Sequence, residues 1–186
     1  MNTCGSNCSR LGHNNEAVVQ NITPKIMNMQ DSIANRPSLG EFISIVCFKS
    51  VITGMEEALG EKATAIAMIA AGRARGKSLV KDLGLSNSSL DFDTIAIELN
   101  GAVGSAGTRL TAVDKIVRAD NTIRVYCSET VCSANEADGS NRLSTFTMGA
   151  IWGALSEIAG KKLRGVHTES VLRGGTHDVF EFSIIE

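Results

Sequence analysis

The residues best suited to nucleotide chemistry lie between Ala71 and Ser78, in the order AGRARGKS. This spacing matches the permissive form of a phosphate-binding loop, in which alanine replaces the first glycine. Such a loop must follow a buried strand, because its amides surround phosphates only in the bend that opens a helix. The preceding residues 62–69 are rich in alanine and favour a helix. We therefore expect one continuous helix here, with Gly72 and Gly76 allowing close packing, and no bound nucleotide.

Three histidines, His13, His167 and His177, are the candidate proton carriers. No spacing ties any of them to a nucleophile and an orienting acid, so we expect no catalytic residue. His167 and Glu169 are two apart in a β-rich run, and strand alternation would project both from one face. They fit a cross-strand polar pair at a sheet edge or, alternatively, a polar anchor in a pocket.

Five cysteines could bind metal or form disulfides. Cys4 and Cys8, with His13 nearby, resemble half of a zinc site, but structural zinc sites usually contain a second close pair. The only other close pair is Cys127 and Cys132. The odd number of cysteines fits reduced thiols in a cytoplasmic protein. We expect free thiols, no metal and no cofactor.

Composition predicts a single main domain. The chain has 186 residues, is 43% hydrophobic and carries a formal charge of −2, which argues against nucleic acid as a partner. No apolar run is long enough to span a membrane, and the N-terminus lacks a secretory signal. We expect a flexible polar tail at 1–16, a docking segment at 17–37 and one domain at 38–186.

Three helices are expected in the first half of that domain. Ser38 and Glu41 have the spacing of a capping box, which predicts a helix start there and an end at Gly60. Its apolar surface is wider than one stripe, which favours a central position or a homodimer contact, and Cys47 is expected to be a buried thiol within it. A second helix spans 61–82, and Asp91 or Asp93 caps a third.

The second half predicts two β-hairpins separated by a helix. Runs 110–118 and 122–128 alternate as strands, and runs 163–172 and 177–185 flank a Gly-Gly turn. Between the hairpins, helical spacing from Ser144 to Ala159 ends at Gly160. The fold class is therefore α+β, with an antiparallel sheet of two hairpins covered on one face by helices.

Several of these segments resemble a known family. The motifs are GxxxG at 149–153, AGKK at 159–162, HTES at 167–170, the glycine turn at 174–175, FEF at 180–182 and AAGRARG at 70–76. In this order they resemble the 4-vinyl reductase-like, or hydrocarbon-binding, domain, which shares its fold with small subunits of the TRAPP vesicle-tethering complex. The resemblance covers about residues 38–186. It implies binding of small hydrophobic molecules between helices and sheet, or assembly with protein partners.

Some sensors of that family hold zinc through three cysteines and a glutamate. The glutamate corresponds to Glu169 here, but the cysteine positions correspond to Ser144, Leu172 and Phe180. Because leucine and phenylalanine cannot ligate a metal, this departure removes the zinc site and puts a carried-over phenol ligand in doubt. The family name suggests a reductase, yet the sequence contains no nicotinamide or flavin motif that would supply a hydride.

These observations favour a non-enzymatic, homodimeric module that binds a small hydrophobic or tetrapyrrole-like molecule. The alternative is a scaffold that acts through protein contacts, and an enzyme, reducing or nucleotide-dependent, ranks third. We expect the ligand between the 144–159 helix and the sheet, where an apolar wall and one polar group would form a typical small-molecule site. Its predicted wall consists of Ile123, Val125, Met148, Trp152 and His167.

Overall fold

The computed structural model of the protein describes residue 36 and residues 38–185. The chain divides into two units between residues 42 and 43, and all the helices and strands reported below belong to the second. The predicted polar tail, with Cys4, Cys8 and His13, and nearly all of the predicted docking segment lie outside the described residues.

The second unit has the α+β architecture predicted from the sequence. Its four strands form one antiparallel sheet in the order β1-β2-β4-β3, so the two hairpins join through β2 and β4. The elements in chain order are α1 (Ile45–Leu59), α2 (Glu61–Asp82), α3 (Phe92–Val103), β1 (Ala112–Ala119), β2 (Thr122–Ser128), α4 (Thr145–Ala159), β3 (Lys162–Glu169) and β4 (Asp178–Ile185).

The first helix begins later than its predicted capping box. Gly40 has a φ of 63°, which is incompatible with a right-handed helix, and the Oγ of Ser44 accepts a hydrogen bond from Val46 N at 3.2 Å. Ser44 is therefore the N-cap, and the prediction of a start at Ser38 was wrong. The predicted end at Gly60 is confirmed by its φ of 82°, a conformation that glycine adopts without strain.

Residues 71–78 lie inside the unbroken helix α2, as expected. Gly72 and Gly76 face α4, where a Cβ on either residue would come within 2.8 Å of a backbone nitrogen, that of Ala150 or Ala154 respectively. Gly153 of α4 makes the matching close approach to α2. Later residues of α2 meet later residues of α4, so the two helices run parallel and their N-termini lie at the same end.

The residues on one face of the sheet are buried and form one side of the hydrophobic core. Along β2, Ile123, Val125 and Cys127 are buried, whereas Arg124 and Tyr126 lie on the outer face, as strand alternation predicts. The central strand β4 contributes two fully buried phenylalanines. The main core residues of the sheet and helices are Val113, Ile116, Val125, Phe180, Phe182, Leu99, Ile151, Leu155 and Ile158.

The second hairpin differs from its predicted form at the turn. The strand run predicted to continue to Leu172 stops at Glu169, because Ser170 Oγ accepts a hydrogen bond from Leu172 N and caps a short 3₁₀ helix, Val171–Arg173. No helix within the described part of the chain has the length and apolar character needed to cross a bilayer.

Candidate functional site

The structure locates the five predicted pocket residues along α4 and the sheet. Ile123, Val125 and Met148 are buried in the core, and Trp152 packs against that core while remaining partly exposed. The Trp152 indole donates to Leu163 O, and the Ser144 amide donates to His167 Nδ1. Helix α4 therefore runs alongside β3 in the opposite direction, with Met148 between these two anchor points.

Trp152 lies at the rim of the core. Its indole N–H is satisfied at 3.0 Å by Leu163 O, and its ring centroid lies 6.3 Å from that of Phe182. A Cβ on Gly165 would lie 3.1 Å from the indole, so β3 is in close contact with this residue. On the α2 side, the guanidinium carbon of Arg73 lies 4.5 Å from the indole ring centroid. The only tryptophan of the chain thus has a basic side chain over one ring face.

His167 belongs to a buried polar network centred on Asp178. Its Nε2 lies 3.2 Å from Asp178 Oδ1, and both side chains are almost completely shielded from solvent. Three hydroxyl groups donate to the same carboxylate, at 2.6 Å from Thr130, 2.7 Å from Ser133 and 2.7 Å from Ser170. The network joins both strands of the second hairpin to the loop that precedes α4.

The hydrogen bonds of this network indicate which nitrogen of His167 carries the ring proton and keep Asp178 ionised. Because the Ser144 amide must donate to Nδ1, His167 carries its ring proton on Nε2 and donates it to Asp178. Burial raises the pKa of the Asp178 carboxyl, but the donated hydrogen bonds, that of His167 foremost, outweigh burial and hold the pKa well below its usual 3.8. Asp178 is therefore a buried carboxylate stabilised by four donors.

This arrangement stabilises structure and does not resemble a catalytic triad. Both His167 ring nitrogens are engaged, one by a backbone amide and one by a carboxylate, so neither is directed at a hydroxyl nucleophile. These two hydrogen bonds use both ring nitrogens of His167, the polar group that was expected to orient a ligand. Glu169 is exposed and separated from His167 by a register shift in β3, so the expected shared face of this pair was wrong.

Asp178 was not among the residues predicted from the sequence, although a signal for it existed. Alternation along β4 puts Asp178 on the same face as Phe180 and Phe182, which is an unusual position for an acid. A buried acid requires donors, and His167 on the neighbouring strand was the natural candidate. Ser170 lies eight residues from Asp178, but the other two hydroxyl donors, Thr130 and Ser133, are separated from it by 48 and 45 residues.

A second feature is a polar cleft of about 450 Å³ at the N-terminal ends of α2 and α4. Its lining includes Glu56, Glu61, Lys62, Thr64, Glu136, Asn141, Arg142 and Thr145. Arg142 binds Glu56 through two hydrogen bonds of 2.7 and 2.9 Å, and Glu136 forms ion pairs with Lys49 and Arg142. The inner charges of the cleft therefore neutralise one another.

The ion pairs also affect titration in the cleft. Burial raises the pKa of Glu136, but the hydrogen bond and charge of Lys49 and the charge of Arg142 hold that pKa below its usual value of 4.5.

Thr64 is 1% exposed, and its hydroxyl has no hydrogen-bond partner. The cleft connects α1 to the 132–142 segment through charged side chains.

The cysteines do not form a cluster in the described residues. Cys127 is buried in the sheet, and burial strongly raises the pKa of its thiol, which makes the thiol unreactive. Cys132 is buried beside the Thr147 hydroxyl at 3.7 Å. Cys47 is exposed on α1, so its prediction as a buried thiol was wrong. Across residues 38–185 no three His, Cys, Asp or Glu side chains are grouped as a metal site would require.

Comparison of the fold with solved structures identifies two informative neighbours. The phenol-responsive sensory domain of the transcription activator PoxR, solved with phenol, has a TM-score of 0.57 at 10% identity and covers 77% of this chain and 76% of its own. Trafficking protein particle complex subunit 3 from Naegleria fowleri, covalently bound to palmitic acid, has a TM-score of 0.53 at 16% identity and covers 76% and 93%.

These matches confirm the fold that the sequence resemblance implied, and at such low identities they show the fold alone. A vinyl-4-reductase family protein from Methanocaldococcus jannaschii has a TM-score of 0.48 at 17% identity and covers 91% of this chain and 99% of its own. No protein-family model matches the chain, and neither does any curated protein sequence.

Proposed function

We propose that this protein is a non-enzymatic module that binds a small, mainly apolar molecule along the face of α4 that carries Trp152. The observation that carries the proposal is the position of Trp152 at the rim of the core, partly exposed although it is a large aromatic side chain. A ligand that entered between α4 and β3 would contact the indole first and Met148 next. The two structural neighbours support the proposal, because one was solved with phenol and the other carries palmitic acid.

Fluorescence provides a direct test, because Trp152 is the only tryptophan in the chain. Titration with two neutral apolar compounds, decanol and 1-adamantanol, should shift or quench the emission in a saturable manner. Gly149→Leu should reduce the response, because its new side chain would project toward α2 close to Ile69 and displace the helix from its ligand-binding position. Unchanged emission with every compound, and no heat of binding by calorimetry, would contradict ligand binding and favour a scaffold role.

We further propose that the module is a homodimer joined through the outer face of α1. Only Ile52 of this helix is buried, while Val46, Val51 and Leu59 are 55–60% exposed. The exposed residues of α1 before Glu57 carry no charge. A surface with few charges fits the core of a homodimer interface, and a second copy would present the same surface about a two-fold axis. A different protein partner is the alternative outcome.

A further inference from the structure

We propose that the ligand carries an anionic head group, with a carboxylate as the simplest form, and that Arg73 binds it. The proposal rests on the proposed function, because it concerns the same face of α4. Arg73 lies on α2 with its guanidinium over the Trp152 ring at 4.5 Å. The polar anchor is then supplied by a helix and not by His167, whose ring nitrogens are both occupied.

Arg73 has hydrogen-bonding groups that the protein does not use. Stacking on an indole uses the flat face of a guanidinium and leaves the N–H groups around its edge. Nε of Arg73 is buried and has no hydrogen-bond partner, and no carboxylate among the described residues forms an ion pair with this side chain. An unpaired, partly buried cation is costly, whereas a bidentate oxyanion would satisfy it.

The nearby acidic residues of α2 and α4 have other partners. Glu157, which is five residues beyond Trp152 on α4, accepts a hydrogen bond from Ser86 Oγ at 2.9 Å. Asp82, near the end of α2, lies 4.0 Å from Arg75. Arg75 therefore has an acidic neighbour on its own helix, and Arg73, two residues earlier, has none.

A second polar group without a hydrogen-bond partner lies on the same face of α4 as Trp152. Ser156 lies one helical turn beyond Trp152, and its buried hydroxyl has no hydrogen-bond partner. Lys77 lies one turn beyond Arg73 on the parallel helix α2 and is exposed. The partly exposed indole is thus covered by one guanidinium, and a hydroxyl group of α4 and an ammonium group of α2 lie one helical turn farther along. This combination fits a molecule with an apolar body and an acidic end.

The test compares two matched pairs of compounds, decanoate with decanamide and 1-adamantanecarboxylate with 1-adamantanecarboxamide. At pH 8 and low salt, calorimetry and Trp152 fluorescence should show each acid binding at least ten-fold more tightly than its amide. The preference should decrease as NaCl is added, because salt screens the ion pair. Equal affinities within both pairs would overturn the role of an anionic group while leaving apolar binding intact. If no compound binds, the proposed function fails as well.

Two variants assign the preference to one residue. Arg73→Gln should weaken binding of the acids at least ten-fold and leave the amides within two-fold of the wild type. Arg75→Gln removes the same charge from the same helix and should change neither affinity. If both variants weaken acid binding equally, the effect comes from the general charge of α2 and the proposal is wrong. If Arg73→Gln weakens acids and amides alike, Arg73 only covers the tryptophan, which also contradicts a role in head-group binding.

Discussion

Helices α1 and α4 have the same length of 15 residues and are both rich in apolar side chains, yet the fold uses them differently. Nine residues of α4 are buried, including Gly149 and Gly153, whereas α1 buries only Ile52. Helix α4 lies between α2 and the sheet, and α1 contacts the rest of the unit along one narrow side. Apolar content alone therefore does not decide whether a helix is enclosed within the unit.

The two helices are also attached by different kinds of interaction. Lys49 of α1 donates to Cys132 O at 2.9 Å, and Glu56 of α1 binds Arg142. Phe48 of α1 also forms an edge-to-face pair with Phe146, with ring centroids 5.3 Å apart. By contrast, α4 is held by close backbone packing and by the buried Asp178 network at its start. We therefore expect substitutions at α4 to have larger effects than those at α1.

The largest effect is expected at the buried carboxylate. Asp178→Ala removes the shared acceptor of four donors and should lower the free energy of unfolding by about 3–5 kcal/mol in urea denaturation. Asp114→Ala is the matched control, since this acid lies on β1 with its side chain 40% exposed, and it should change stability by less than about 0.5 kcal/mol. Similar losses in both variants would mean that the network does not anchor α4.

Because the pKa of Asp178 is lowered in the folded state, we predict that the free energy of unfolding depends on pH. The pKa of Asp178 in the folded state lies below its usual 3.8, so its contribution is complete above that value and is lost as the pH falls through it toward the folded pKa. The Asp178→Ala variant lacks this contribution to stability. Between about pH 5 and pH 3, the wild type should therefore lose more stability than the variant, and denaturation curves at each pH measure the difference. Parallel losses would contradict a depressed pKa.

The next largest effect is expected where α2 packs closely against α4. A Cβ on Gly76 would overlap the backbone of α4, so Gly76→Ala should destabilise the protein by about 1–3 kcal/mol through overpacking. Gly54 of α1 has open space around its Cβ position. Gly54→Ala is therefore expected to stabilise by about 0.5–1 kcal/mol, because alanine is the better helix former. Thermal and urea denaturation measure both, and the same sign for the two variants would refute the contrast.

A smaller and more local effect is expected for the ion pairs that hold α1. Arg142→Ala removes the partner of Glu56 and one partner of Glu136, and should lower the local stability of α1 by about 1 kcal/mol. Amide hydrogen exchange should accelerate in α1 and remain unchanged in α4. High salt should produce the same pattern in the wild type. Equal acceleration in α4 would show that the two attachments are not separate.

The smallest effect on stability, and the clearest on assembly, is expected on the outer face of α1. Val46→Asp should alter the free energy of unfolding of one subunit by less than about 0.5 kcal/mol but shift the protein from dimer to monomer in sedimentation experiments. Ile97→Asp, at a residue of α3 that is 71% exposed, controls for adding a charge to an apolar surface position. A monomeric wild type, or dissociation in both variants, would argue against this interface.

Local signals made much of the fold predictable. Gly60, Asp91 and Gly160 end or begin helices where the sequence indicated, because each acts on backbone groups a few residues away. The absence of a preceding strand correctly placed residues 71–78 in a helix. The helix start predicted at Ser38 was wrong because a positive φ at Gly40 prevents it, and Ser44 caps the helix instead.

The sequence by itself therefore determined the order and type of the elements and the strand faces, since periodicity and capping depend on neighbours within a few residues. Only the tertiary structure decided that α4 is enclosed and α1 is not, because burial depends on partners that are remote in sequence. The contacts of the candidate functional residues also depend on the tertiary structure. Thr130 and Ser133 reach Asp178, and Arg73 reaches Trp152, across tens of residues, and no local pattern encodes such contacts.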